Sequence, residues 1–104
     1  MNFFSALLGK KDNNQLLEAL KDGAFLVDVR TPAEFSSGSV KGAVNIPLDN
    51  VQSQLQKFKN KKNIVVFCRS GARSSQAKGI LEQNGFQNVI NGGTWQNVNH
   101  VVNE

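Results

Sequence analysis

Four consecutive apolar residues, Ile64-Val65-Val66-Phe67, lead directly into Cys68. A short apolar run without alternating polar residues is typical of a strand that is buried on both faces. The segment 24–29 has the same character apart from Asp28, and shorter runs that each include one asparagine occupy 43–46 and 88–90. Such strands form when helices cover both faces of a parallel sheet, so these runs restrict the chain to few architectures.

Helical signals separate the apolar runs. Start signals are found at Asn13 or Asn14, at the capping box Thr31-Pro32-Ala33-Glu34, at the capping pair Asp49 and Gln52, and at Ser74. Glycines that suit helix ends follow three of the segments, at Gly23, Gly38 and Gly85. This alternation predicts a small three-layer α/β domain, with a mostly parallel sheet of four to five strands and helices on both faces.

The length of 104 residues leaves room for one domain. We expect an N-terminal segment (1–12), a core (13–93) and a C-terminal tail (94–104). His100 lies in that polar tail and is expected at the surface. The apolar stretch at 3–8 is too short to span a bilayer, and its lysines follow it rather than precede it, so we expect a cytoplasmic protein without a membrane partner.

The net charge of +4 comes partly from a lysine cluster, formed by Lys57, Lys59, Lys61 and Lys62. Lysines near a helix C-terminus complement the helix dipole, whereas binding of nucleic acid favours arginines and aromatic residues interleaved on a groove. We therefore expect a solvated surface and no nucleic-acid partner. The single cysteine excludes an internal disulfide and a thiolate zinc cluster, which indicates a reducing compartment and no metal.

Cys68 opens the loop Cys68-Arg69-Ser70-Gly71-Ala72-Arg73-Ser74, at the carboxyl end of a predicted strand. A lone cysteine is most often a small buried hydrophobic residue. However, open α/β sheets bind ligands at the carboxyl ends of their strands, and here a glycine, two arginines and a helix N-terminus follow the thiol. Such surroundings favour thiolate over thiol and attract anions. The loop is therefore predicted to hold a cysteine nucleophile.

Three motifs in this order resemble the rhodanese family of single-domain sulfurtransferases, over residues 13 to 93 or so. They are Leu26-Val27-Asp28-Val29-Arg30-Thr31-Pro32-Ala33-Glu34-Phe35 with Gly38, Gly42-Ala43-Val44-Asn45-Ile46-Pro47, and the Cys68 loop. The resemblance implies an enzyme that moves a sulfane sulfur from a donor such as thiosulfate to a thiophilic acceptor, cyanide or a thiol. The sulfur would be carried as a persulfide on Cys68, without a cofactor, and the donor or acceptor could be a protein.

The resemblance also implies roles for individual residues. The backbone amides of Arg69, Ser70, Gly71, Ala72 and Arg73 would hold the persulfide, and the two arginines would suit the oxyanion end of the donor. Asp28 and Arg30 match the family's Asp-x-Arg segment and are expected to form a paired scaffold beside the loop, since buried charges need partners. Glu34 is expected to be a helix cap rather than a catalytic acid.

Two positions depart from the family pattern. Many members have histidine where this chain has Ser39, and many have a tryptophan later than Trp95 relative to the Gly-Gly pair. Both departures leave the choice of donor and acceptor open.

The sequence also allows two other functions. Cysteine phosphatases and arsenate reductases also use a thiolate and an arginine, but five residues separate the two, whereas four separate Cys68 from Arg73. A tighter loop suits a single sulfur atom. The second alternative is a persulfide carrier that receives sulfur from one protein and docks to another, with the same chemistry at Cys68.

Overall fold

The computed structural model describes residues 13–104, so the apolar stretch at 3–8 and the rest of the N-terminal segment lie outside the described residues. The described part contains one sheet of four parallel strands, in the spatial order β2-β1-β3-β4. The strands are β1 (Phe25–Asp28), β2 (Val44–Asn45), β3 (Ile64–Cys68) and β4 (Val89–Thr94). The predicted α/β fold with a parallel sheet is confirmed.

Helices cover both faces of this sheet. They are α1 (Asn14–Lys21), α2 (Pro32–Ser36), α3 (Leu48–Val51), a 3-10 helix (Gln52–Phe58), α4 (Ala72–Gln83) and α5 (Trp95–Val102). Within residues 13–104, no helix is both long and apolar enough to cross a membrane.

β3 is the centre of the fold, and all five of its residues are buried. Because successive side chains of a strand point to opposite faces, they join two separate clusters. Cys68 belongs to the cluster that contains Ala77 and Leu81 of α4, while Phe67 belongs to the cluster that contains Leu16 of α1 and Val98 of α5. Burial of each large apolar side chain contributes about 1.5–3 kcal/mol, so this strand holds the cysteine in place from both sides.

Two predicted helix starts are wrong. Asp49 and Gln52 form no capping pair, because α3 begins directly after Pro47, and the Asn50 amide donates to the Pro47 carbonyl at 2.8 Å. Likewise α4 begins at Ala72 rather than Ser74. Gly71 has φ 98° there, a left-handed conformation that turns the chain at once from the loop into the helix.

The end of the sheet and the segment after it also differ from expectation. β4 runs through the Gly-Gly pair to Thr94, and Gly92 is the extra residue of a bulge, since Asn91 pairs with Val66 but Gly93 pairs with Phe67. A Cβ on Gly92 would lie 2.5 Å from Cγ2 of Val98. Only glycine therefore allows α5 to pack this close to the bulge.

The segment 94–104, expected to be a tail, forms the packed helix α5 over most of its length. Thr94 caps this helix by accepting a hydrogen bond from the Asn97 amide at 3.0 Å, and Val98 and Val101 are buried. Asn13 stands at the start of α1 but makes no side-chain cap, because its amide instead exchanges hydrogen bonds with Asn97 at 3.3 Å. α1 and α5 are thus tied together.

Candidate active site

Cys68 is the last residue of β3, and its side chain is fully buried beneath the loop that follows. Its Sγ accepts a hydrogen bond from the Gly71 amide at 3.0 Å and lies 3.5 Å from Oγ of Ser74. The left-handed Gly71 makes this possible, because it turns the backbone N–H of the loop back toward the strand end. The loop therefore places a backbone donor and a hydroxyl group against the sulfur.

Two opposing effects act on the Cys68 thiol. Burial disfavours the thiolate and so raises the pKa, but hydrogen bonds from the Ser74 side chain and from the amides of Ser74, Gly71 and Ser70 outweigh it. The pKa of Cys68 is lowered as a result. A larger share of this cysteine is ionised at neutral pH than of a free cysteine, and the thiolate is the nucleophilic form.

Asn91 of β4 supports this arrangement, and the sequence analysis does not predict it. Its Oδ1 accepts hydrogen bonds from Oγ of Ser74 at 2.7 Å and from the Gly93 amide at 2.9 Å. Oγ of Ser74 also lies 3.1 Å from the Gly71 carbonyl, and its single proton is donated to one of these oxygens or to Sγ of Cys68 at a time. A polar residue in a largely buried strand, directly before a Gly-Gly pair, is the signal that could have identified Asn91.

The two arginines of the loop differ sharply. Arg69 is exposed and forms no ion pair with any residue in the range 13–104. Arg73 pairs with Glu34 through both ends of its guanidinium, Nη1 to Oε1 at 2.8 Å and Nη2 to Oε2 at 3.1 Å. The structure thus brings only one of them into a bidentate contact with a carboxylate.

Glu34 has two roles in the structure. It completes the capping box with Thr31, as predicted, because the Thr31 amide donates to Oε1 at 3.0 Å and the Glu34 amide donates to Oγ1 of Thr31 at 3.2 Å. The contact with Arg73 was not predicted. The Arg73 guanidinium, aided by the Thr31 amide, lowers the pKa of Glu34 to about 2, so the carboxylate is ionised at neutral pH.

Asp28 and Arg30 form a buried ion pair beside the loop. Nη2 of Arg30 lies 2.7 Å from Oδ2 of Asp28, and Nε lies 3.0 Å from Oδ1. The side chain of Arg30 is 5% exposed and that of Asp28 is 0% exposed. Since Asp28 is paired in register with Phe67 of β3, the ion pair lies one residue from the nucleophile position along the neighbouring strand. The structure shows the expected pairing.

Both departures from the family pattern contact this buried pair. Oγ of Ser39 donates to Oδ2 of Asp28 at 2.7 Å, and the ring of Trp95 lies 5.2 Å from the guanidinium carbon of Arg30. Arg30 also donates to the Gly38 carbonyl at 2.5 Å. Ser39 and Trp95 therefore act on the scaffold next to the loop.

Outside the loop, the described residues offer little further chemistry. No group of three or more His, Cys, Asp or Glu residues within 13–104 could hold a metal ion. His100 is exposed on α5, where its Nε2 lies 3.6 Å from a carboxylate oxygen of Glu104. The site thus consists of the Cys68 loop and its supporting residues.

Comparison with known proteins agrees with this geometry. The profile of the rhodanese-like domain matches residues 12–94, and the chain belongs to the rhodanese family. A sulfurtransferase of Allochromatium vinosum is 34% identical over 87 residues, which cover 82% of this chain and 81% of the relative. The thiosulfate sulfurtransferase PspE of Escherichia coli is 39% identical over 69 residues, covering 64% and 66% of the two chains.

A solved structure has the same fold. A rhodanese with anions from E. coli has a TM-score of 0.66 and 35% sequence identity, and the similarity covers 72% of this chain and 91% of that one. The overall fold is thus similar to that of a known rhodanese structure.

Proposed function

We propose that the protein is a sulfurtransferase that carries a sulfane sulfur as a persulfide on Cys68. The observation that carries the proposal is the buried Sγ at the end of β3, 3.0 Å from the Gly71 amide, with a lowered pKa. Sulfurtransferases among the relatives support this reaction class.

The reaction with thiosulfate balances without a cofactor. The Cys68 thiolate attacks the outer sulfur of thiosulfate, a new S–S bond forms, and sulfite leaves with the electron pair of the broken bond. Cyanide or a thiolate then attacks the outer sulfur of the persulfide, which returns Cys68 as a thiolate and yields thiocyanate or a new persulfide. A thiolate needs no general base for the first step.

The loop is suited to stabilise the charged sulfur of both states. The Gly71 amide donates to Sγ at 3.0 Å, and the Ser74 hydroxyl lies 3.5 Å from it. Arg69 supplies positive charge for an anionic donor, and Arg73 can do so when the donor displaces Glu34. Because the chain has a single cysteine, the persulfide has to leave to an external acceptor.

The proposal is tested by intact-protein mass spectrometry after incubation with thiosulfate, before and after addition of cyanide. We expect wild type to gain the mass of one sulfur and to lose it again, and Cys68→Ser to gain nothing. Circular dichroism of both proteins controls for folding, and Ser53→Ala, which alters an exposed hydroxyl away from the loop, should behave as wild type.

Different outcomes separate the alternatives. Sulfur on the Cys68→Ser variant would overturn the mechanism. A wild type that gains no sulfur from thiosulfate but accepts it from a protein persulfide would identify a carrier. Hydrolysis of phosphate esters by wild type, lost in Cys68→Ser, would favour the phosphatase alternative.

A further inference from the structure

We propose that Glu34 is a specificity-determining residue, which weakens the use of small anionic donors by occupying the face of Arg73 that such a donor would bind. The donor class rests on the proposed function, whereas the effect on anions at the Cys68 loop can be measured independently. The inference comes from the different partners of the two loop arginines.

The contact geometry is that of a bound oxyanion. A guanidinium presents two parallel N–H groups to a carboxylate in the same way as to a sulfur or phosphorus oxyanion. In this structure both positions are filled, by Oε1 and Oε2 of Glu34 at 2.8 and 3.1 Å. The pKa of Arg73 is raised chiefly by the hydrogen bonds to Glu34 and also by the charge of Cys68, so this guanidinium interacts with the thiolate as well. An anion that approaches the thiol therefore finds the fork of Arg73 already bound.

Glu34 is held in this position by its own helix. The Thr31 amide and hydroxyl donate to its Oε1 at 3.0 and 3.1 Å, so the carboxylate remains beside Arg73 without needing the loop to hold it. It is ionised at neutral pH, since the pKa of Glu34 is lowered to about 2. The Glu34 carboxylate therefore carries its negative charge throughout the neutral pH range.

Solvent exposure makes the contact exchangeable. The side chains of Arg73 and Glu34 are 33% and 29% exposed, and partly solvated ion pairs are weak. A donor can displace Glu34, but it then has to break the contact between Arg73 and Glu34. A donor that binds Arg69 alone does not lose this free energy. Arg69 is exposed and has no ion pair in the described part of the chain, so its guanidinium is available to an anion.

The test compares two alkylating reagents at the same thiol, iodoacetate as an anion and iodoacetamide as its neutral counterpart. The measured quantity is the rate with iodoacetate divided by the rate with iodoacetamide. Because both reagents react with the thiolate, the ionised fraction of Cys68 drops out of this ratio, which then reports how strongly the loop attracts anions. Glu34→Gln should raise this ratio about 1.4- to 5-fold, the range for a partly exposed ion pair. The KM for thiosulfate should fall by a similar factor, with kcat little changed.

Matched variants separate occupancy of Arg73 from a general effect of charge. Glu82→Gln removes an equal charge from the exposed far end of α4 and should leave the ratio unchanged. In an Arg73→Ala background, Glu34→Gln should have no effect, because no guanidinium remains to be released. Arg69→Ala should lower the ratio in every background. Thermal unfolding of each variant controls for loss of structure.

The outcomes are distinct from those of the proposed function. Equal ratios for wild type and Glu34→Gln, or a rise that persists without Arg73, would overturn the inference. If wild type takes no sulfur from thiosulfate while Glu34→Gln still raises the alkylation ratio, the proposed donor is wrong and the role of Glu34 stands. If neither reagent modifies Cys68 and no persulfide forms, both proposals are wrong.

Discussion

Two pairs of an arginine with a carboxylate lie near the carboxyl end of the sheet, and they differ in burial. Asp28 and Arg30 are at most 5% exposed and share further contacts with Ser39 and Trp95. Glu34 and Arg73 are about one-third exposed and join α2 to the start of α4. A buried pair cannot lose one member without leaving an unpaired charge, whereas water and other ions can replace either member of an exposed pair.

This difference separates support from recognition. The buried pair fixes the end of β1 next to the strand that carries Cys68, and with at most 5% exposure its side chains are out of reach of an external ion. The exposed pair contains an arginine of the loop itself, and its carboxylate can be exchanged. A guanidinium paired with a carboxylate thus stabilises the fold at Asp28 and Arg30, whereas at Glu34 and Arg73 the same kind of pair affects which anions can bind.

The largest expected effect is on the buried pair. Asp28→Ala should lower the free energy of unfolding by about 3–5 kcal/mol, because Arg30 is left buried without its counter-charge. Urea unfolding measures this loss, and Asp49→Ala, an exposed carboxylate, serves as the control with a change below about 0.5 kcal/mol. The double variant Asp28→Leu with Arg30→Met should recover much of the loss. An Asp28→Ala protein as stable as wild type would contradict the structural role of the pair.

The second prediction concerns the hydroxyl that completes the buried pair. Ser39→Ala should cost about 1.5 kcal/mol, since it removes a hydrogen bond to a buried carboxylate but keeps the ion pair. Ser37→Ala is a matched control, because that hydroxyl donates to the exposed Glu34 carbonyl at 2.9 Å. Urea unfolding should show a clearly smaller loss for the control. Equal losses would mean that the burial of Asp28 does not strengthen this contact.

The sequence predicted what depends on neighbours along the chain. The strand of five buried residues, the loop at Cys68 and the capping box of Thr31 and Glu34 arise from local patterns, and the structure contains each of them. Asp28 and Arg30 are two residues apart, so their pairing was also accessible. The family resemblance added the order of these motifs.

The contacts that the sequence did not predict join distant segments. Glu34 and Arg73 are 39 residues apart, and Ser74 and Asn91 are 17 apart, so only the packing of their elements brings them together. The same holds for α5. Its apolar residues Val98 and Val101 pack against a cluster that includes residues of α1 and β3, which are distant in the sequence. Local propensity cannot fix such partners, because each residue has many polar or apolar alternatives in the chain.

The smallest expected effect is on the exposed pair and depends on pH. The folded-state pKa of Glu34 is about 2, below its ordinary value of 4.5, so the unfolded chain binds the proton more readily. The ionised carboxylate therefore stabilises the fold above pH 4.5, and this contribution is lost as pH falls toward 2. Glu34→Gln removes both the contribution and its pH dependence.

Urea unfolding of wild type and Glu34→Gln at several pH values in this range measures the effect. We expect wild type to be the more stable at pH 7, with the difference declining below pH 4.5 and shrinking at high salt, since exposed charges are screened. Glu82→Gln provides the control, because Glu82 forms no ion pair with any residue from 13 to 104. Parallel curves for wild type and Glu34→Gln would show that the pair does not stabilise the fold. In that case only the buried pair would contribute to the stability of the fold, and the exposed Glu34 carboxylate would affect only the availability of Arg73.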